Sequence, residues 1–236
     1  MTSRRRARTQ GSERGISILV VDGQVLFRKG IQRLLDQEED IQVAGETGSS
    51  TEAISLIETL SPTVILIGNQ LEPDNGIDLA GAIRLHHPEV SIIFVSDAAD
   101  EEDVVVAMRA GVSARLARAI AGGELASSIR AAYRGEMPIA EELLHRPAVA
   151  SLVLEDFRRL TQGGGPQHLT APLAEREARV LALAAQGSSS PEIGQVLSID
   201  GRALHNALQS VLQKLYRNKQ VLDTIASRFE GRGGGD

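Results

Sequence analysis

Several side chains capable of chemistry stand where apolar runs end. Asp22 closes the run Ile18-Leu19-Val20-Val21, while Ser96 and Asp97 follow Ile92-Ile93-Phe94-Val95. A carboxylate in such a place can contact a ligand or satisfy backbone donors at a strand end. A second group lies on the segment 201–217, where Arg202, His205, Asn206, Gln209, Gln213 and Lys214 are of types that bond base edges or phosphates. Other candidates carry less. His86-His87 precedes Pro88 with no third ligand at zinc spacing, and Gly163-Gly164-Gly165 lacks the Lys and Ser/Thr of a phosphate loop. The chain has no cysteine, which excludes disulfides, thiolate metal sites and cysteine nucleophiles together. No catalytic residue, metal centre or cofactor is supported, so the chain is read as a non-enzyme.

The elements that must position these residues follow from the apolar pattern. Residues 16–135 alternate short apolar runs with amphipathic stretches, as parallel strands joined by crossover helices do. Strands are expected at 16–21, 41–45, 63–67, 91–95 and 113–116, and helices at 26–37, 50–60, 77–86, 100–110 and 124–134. A further helix at 138–160 should bend at Pro147. The breaker Gly163-Gly164-Gly165-Pro166 marks the best domain boundary. Beyond it, helices are expected at 173–186, 190–197, 201–217 and 220–229, with Gly187 ending the first and a Ser189/Glu192 capping box starting the second. The division is therefore a basic disordered tail at 1–15, an α/β doubly wound five-stranded parallel sheet at 16–135, a helical linker at 136–168, an all-α four-helix domain at 169–230 and a disordered tail at 231–236.

Charge is distributed unevenly over these segments. Residues 1–15 carry +4, 16–135 carry −9, 136–168 carry −2 and 169–236 carry +1, within a total of −6. A balance of +1 argues against tight non-specific binding to nucleic acid. The Arg-rich start is either a flexible arm that adds affinity or a solvated tail. No apolar run is long enough to span a membrane, and the start lacks the apolar stretch of a signal peptide, so a cytoplasmic location is expected. Lysine occurs only at Lys29, Lys214 and Lys219 among 25 basic residues, a bias of GC-rich genomes such as those of actinobacteria.

The element order resembles the NarL/FixJ family of response regulators with a LuxR-type helix-turn-helix. Ile18-Leu19-Val20-Val21-Asp22 and Leu26-Phe27-Arg28-Lys29-Gly30 match the family's first strand and helix, and Ala110-Gly111 and Glu124-Leu125 fall in register. Farther on, Leu173, Arg176-Glu177, Val180-Leu181, Gly187, Glu192-Ile193 and Lys214-Leu215 fit the LuxR-type pattern.

The resemblance implies a phosphorylation pocket and shows it degenerate. Its nucleophilic Asp would stand at Gly68, and its acidic pair after the first strand is reduced to Asp22 followed by Gly23. Ser96 keeps the hydroxyl position, Arg118 replaces the lysine, and Arg115 stands where a switch aromatic is common. Phosphotransfer and magnesium binding are not expected. Asp74 and Asp97 are the nearest carboxylates for a relocated site, and a small molecule is the other candidate for the pocket.

The same resemblance makes 201–217 the recognition helix, with Leu204, Leu208, Val211 and Leu215 as its buried face. It implies dimers through Val221, Leu222, Ile225 and Phe229 of the last helix. The expected function is DNA-binding transcription regulation, controlled by partner, ligand or abundance. The expected partners are DNA and a second copy or a related response regulator. His205, in place of the usual lysine, predicts weak, salt-sensitive DNA binding that a related regulator strengthens. The alternative is an interaction protein that sequesters another regulator without touching DNA.

Overall fold

The computed structural model describes residues 15–97, 100–162 and 171–230. The tails at 1–14 and 231–236, and the breaker from Gly163 to Pro166, lie outside them. Five parallel strands, β1 (Ile16–Val21), β2 (Ile41–Thr47), β3 (Val64–Gly68), β4 (Ser91–Val95) and β5 (Ala114–Leu116), form one sheet in the order β2-β1-β3-β4-β5. β2 runs two residues past its expected end because its pairing with β1 continues to Val21 opposite Thr47, beyond a register shift at Ile18/Leu19.

The crossover helices are α1 (Val25–Leu35), α2 (Ser50–Leu60), α3 (Gly76–His86), α4 (Glu101–Arg109) and α5 (Gly122–Tyr133). Short polar side chains fix three of their starts by accepting the orphan N–H two or three residues on. Ser49 accepts from Glu52 N at 3.4 Å, Asn75 from Asp78 N at 2.9 Å and Asp100 from Asp103 N at 2.8 Å. Strand alternation then divides the core in two. Ile18, Val20, Leu66 and Ile93 meet α1 and α5, whereas Leu19, Ile65, Ile67 and Phe94 meet α2, α3 and α4.

The second of these clusters does not end with the sheet. It runs on through α7 (Pro147–Gln162) and α8 (Glu175–Ala185) into α10 (Gly201–Glu230), taking in Val153, Phe157, Val180, Leu208 and Leu212. Arg109 of α4 forks onto Asp156 of α7 at 2.8 and 2.7 Å, a bidentate geometry that fixes orientation as well as distance. The helical region is thus packed against the α4 side of the sheet.

The structure departs from two expectations. The helix expected at 138–160 is instead a 3₁₀ turn at Pro138–Glu141, α6 (Glu142–His145) and α7. Pro147 starts α7, where a missing N–H costs nothing, and Arg146 before it is extended, as a residue preceding proline prefers. The helices expected at 201–217 and 220–229 are one helix, so α8, α9 (Ser190–Leu197) and α10 replace the expected four. No Gly or Pro interrupts residues 202–230. Asn218, the one local breaker at the expected break, is 1% exposed and directs its side chain to another segment, accepting from Ala171 N at 2.6 Å and donating to Ala171 O at 3.1 Å. It therefore leaves the helix ladder intact. By contrast, Gly187 (φ +84°) ends α8 as expected, and Glu192 reaches back to Ser189 N at 2.7 Å.

Candidate functional sites: a filled strand-end pocket and a candidate nucleic-acid interface

Asp22, Gly68 and Ser96 meet at the carboxyl ends of β1, β3 and β4, and Arg118 reaches in from the loop after β5. Asp22 is fully buried, and both its oxygens are engaged. Oδ1 accepts from Gln24 N at 2.8 Å, and Oδ2 accepts from Arg118 Nη2 at 2.6 Å. The Arg118 guanidinium also stacks 4.6 Å from the centroid of the Phe27 ring, a cation–π contact that orders it further. Ser96 is buried with its N–H donating to Leu116 O at 3.0 Å.

The two glycines matter through what they leave room for. A Cβ at Gly68 would lie 1.8 Å from Asp22 Oδ2 and 3.2 Å from Arg118 Nη2, so the Asp22 carboxylate occupies the space over Gly68. A Cβ at Gly23 would lie 2.8 Å from Gln70 O, the carbonyl that accepts the Gly23 N–H at 3.2 Å. Neither position takes an acidic side chain without displacement. The magnesium implied by the resemblance does not fit this donor set, because the one buried carboxylate is already bonded on both oxygens and Asp97, 3.8 Å from Arg118, is exposed. Among the described residues no cluster of three His, Asp or Glu side chains suits a metal. Arg115 is ion-paired with Glu142 of α6 at 3.7 Å, its side chain 10% exposed.

On α10 the expected buried face is observed, with Leu204, Leu208, Val211 and Leu215 at most 3% exposed. The expected polar face splits into three. Arg202, Asn206 and Gln213 are exposed, along with Arg217, on one stripe. His205 and Gln209 lie on a half-buried flank, their side-chain nitrogens 2.8 Å apart. That flank turns toward the sheet region: His205 is in electrostatic range of Glu136, and Tyr216, eleven residues on, packs at Gly111 and Arg84. Lys214 points inward to Glu177 at 2.5 Å.

Glu177 shows what Lys214 does there. Burial acts to raise its pKa, but bonds from Lys214, from Ser210 Oγ at 2.7 Å and from Ala174 N at 2.7 Å outweigh it and hold the carboxyl below its ordinary range. Lys214 thus joins α8 to α10, with its ammonium bonded to Glu177 and its side chain 25% exposed. The sequence pattern included Arg176 without a DNA role and passed over Arg179. Both are exposed on α8 beside Asn206. The signal that separates them from Lys214 is the partner each charge has, which composition does not contain.

Residues 18–130 match the response regulator receiver domain family. The transcriptional regulatory protein LiaR of Bacillus subtilis (strain 168) is 30% identical over 200 residues, covering 85% of this chain and 90% of LiaR. The chain belongs to the response-regulator family. The transcriptional regulatory protein DegU of Brevibacillus brevis is 26% identical over 231 residues, 94% of this response regulator and 97% of DegU. A crystal form of the Salmonella typhimurium RcsB response regulator shares the fold, with a TM-score of 0.50 at 21% identity over 86% of this chain and 92% of RcsB. The relatives are transcription regulators, and their coverage extends past residue 130 into the helical region.

Proposed function

We propose that this response regulator is a cytoplasmic DNA-binding transcription regulator whose receiver is not switched by phosphotransfer. The observation that carries the second half is the clash distance at Gly68, 1.8 Å from Asp22 Oδ2 to a Cβ built there. A phosphoacceptor needs a carboxylate with a free oxygen. The strand-end pocket has one buried carboxylate, closed by Gln24 N and Arg118, and the exposed Asp97 is ion-paired with the same Arg118 at 3.8 Å. The DNA-binding half is supported by the transcription-regulator relatives and by the exposed Arg202, Asn206 and Gln213 stripe of α10.

Control then falls to abundance, a small molecule or a partner. Pairing, with a second copy or a related regulator, would use the end of α10. There Leu222 is 44% exposed and Val221 is half-buried, while the side chains of Ile225 and Phe229 lie outside the described residues.

The test is intact-mass spectrometry after treatment with acetyl phosphate and magnesium. The expected result is no gain of a phosphoryl group. A stable gain that disappears on replacing Asp74 or Asp97 would overturn the reading.

A further inference from the structure

The arginines of this chain form two populations. Among residues 16–135 every arginine except Arg33 is hydrogen-bonded to or ion-paired with a carboxylate or a carbonyl, from Arg28 on Asp22 O at 2.7 Å to Arg134 on Glu136 at 2.7 Å. In the helix-turn-helix the pattern reverses. Arg176 and Arg179 of α8 and Arg202 and Arg217 of α10 are exposed, and none enters an ion pair or side-chain hydrogen bond among the described residues.

The acids around them are engaged with other groups. Glu177 is bonded to Lys214 and Ser210, Glu192 to the N–H and hydroxyl of Ser189, and Asp200 to Ala203 N at 2.7 Å as the cap of α10. Among the described residues, Glu175 is the acid that stands open beside the arginines. The balance of residues 169–236 stays at +1, since an acid bonded to a neutral donor keeps its charge, but no carboxylate is bonded to these four arginines among the described residues.

Two of the four guanidiniums share a groove. It is open, of about 750 Å³, and runs between α8 and α10, with Arg176 and Arg179 on one wall beside Glu175 and the Lys214-bonded Glu177, and Ala203, Asn206 and Ser210 on the other. Arg176 and Arg179 are three residues apart, so they project from one face of α8. The opposite wall is made of small side chains, which leaves the width open. Asn206 belongs both to this wall and to the exposed stripe of α10.

We infer that Arg176 and Arg179 are a phosphate clamp that holds one DNA strand in the α8–α10 groove while the α10 stripe faces the bases. The inference rests on the DNA-binding reading above and adds to it a second, sequence-independent contact on a different helix. Guanidinium matches phosphate geometry with paired N–H donors, and such contacts set orientation without reading sequence. An acidic protein partner would offer carboxylates to the same arginines, but it would not follow the salt law that releases counterions from DNA.

Fluorescence anisotropy of the full chain with a short random-sequence DNA duplex, between about 50 and 200 mM salt, tests this. For Arg176→Ala with Arg179→Ala, the slope of log affinity against log salt should shrink by about 2, with affinity falling about tenfold or more at low salt. The Arg176→Lys, Arg179→Lys pair should recover most of the slope, and Arg33→Ala, which removes an exposed arginine from α1, should leave it unchanged. An unaltered slope and affinity in the alanine pair, with wild type binding normally, would refute the clamp and leave DNA binding by α10 standing. Absence of wild-type binding throughout the salt range would overturn both. A loss accompanied by a lower unfolding midpoint and not rescued by the lysine pair would assign the arginines a structural role and also overturn the clamp.

Discussion

The strand-end pocket and the α8–α10 surface contain similar residue types, yet their charges are in opposite states. In the pocket, Asp22 and Arg118 satisfy each other at 2.6 Å, and the guanidinium is covered by Phe27. On the helix-turn-helix surface, Arg176, Arg179, Arg202 and Arg217 have no partner among the described residues. A charge already paired in a buried place can hold a fold but has little left for a ligand. An exposed, unpaired one contributes little to stability and is available for binding. The receiver end of this protein is therefore a structural joint, and the helical end is where an anionic partner fits.

The sharpest way to break that contrast is to disturb the joint. Gly68→Ala should cost about 3 kcal/mol or more, because the new Cβ drives Asp22 off Arg118, and breaking a buried ion pair typically costs about 3–5 kcal/mol. Arg118→Ala should fall in the same range, since it strands a carboxylate that is 1% exposed. Urea unfolding measures both. A change below about 0.5 kcal/mol in either would mean that the pocket is loose and the contrast false.

A middle-sized effect is expected at Glu177, which belongs to the helical region but resembles the pocket in being buried and bonded. Its folded pKa lies below the ordinary value, so it binds fewer protons folded than unfolded at mildly acid pH. Its contribution is present above the unfolded pKa and lost as pH falls through the folded one. Glu177→Gln should cost about 2 kcal/mol at neutral pH, with a difference from wild type that narrows on acidification. Parallel stability curves from pH 7 down to about 3 would contradict the assignment.

These contrasts were only partly legible in the sequence. The five strands and their helices could be read because buried parallel strands leave continuous apolar runs, and Val64-Ile65-Leu66-Ile67 is one of them. The absence of a carboxylate at Gly68 could be read as well. That Asp22 moves into the vacated space could not, since it depends on a contact between β1 and the loop after β5, 96 residues apart. Lys214 shows the same limit. Its position in the chain suits a phosphate contact, but a partner 37 residues earlier, Glu177, turns it inward. The merger of the last two helices was hidden for a related reason, because Asn218 breaks a helix only if its side chain is not bonded elsewhere. Local pattern predicts elements, while partners distant in sequence decide which charges remain open.

The smallest effect on the fold, and the finest division of the surface, is expected between two neighbours on α10. Asn206 is exposed on the open stripe, whereas His205 is half-buried on the flank that Gln209 and the Glu136 side of the molecule occupy. Replacing either with alanine should change stability by less than about 1 kcal/mol, because neither fills the core and alanine is a strong helix former. Their effects on DNA should differ. A well-placed Asn contact to a base edge supports about 1–3 kcal/mol of discrimination, so Asn206→Ala should compress the affinity gap between selected and random duplexes by about tenfold or more. His205→Ala should leave most of that gap, since the imidazole is directed away from the stripe. Affinity selection from a random duplex pool, followed by anisotropy titration of selected and unselected duplexes with each variant, measures the gap. If His205→Ala closes it and Asn206→Ala does not, then the DNA-facing surface is the flank now turned toward the sheet region. In that case α10 would have to leave the sheet region before reading a base, and the open stripe would carry phosphate contacts alone.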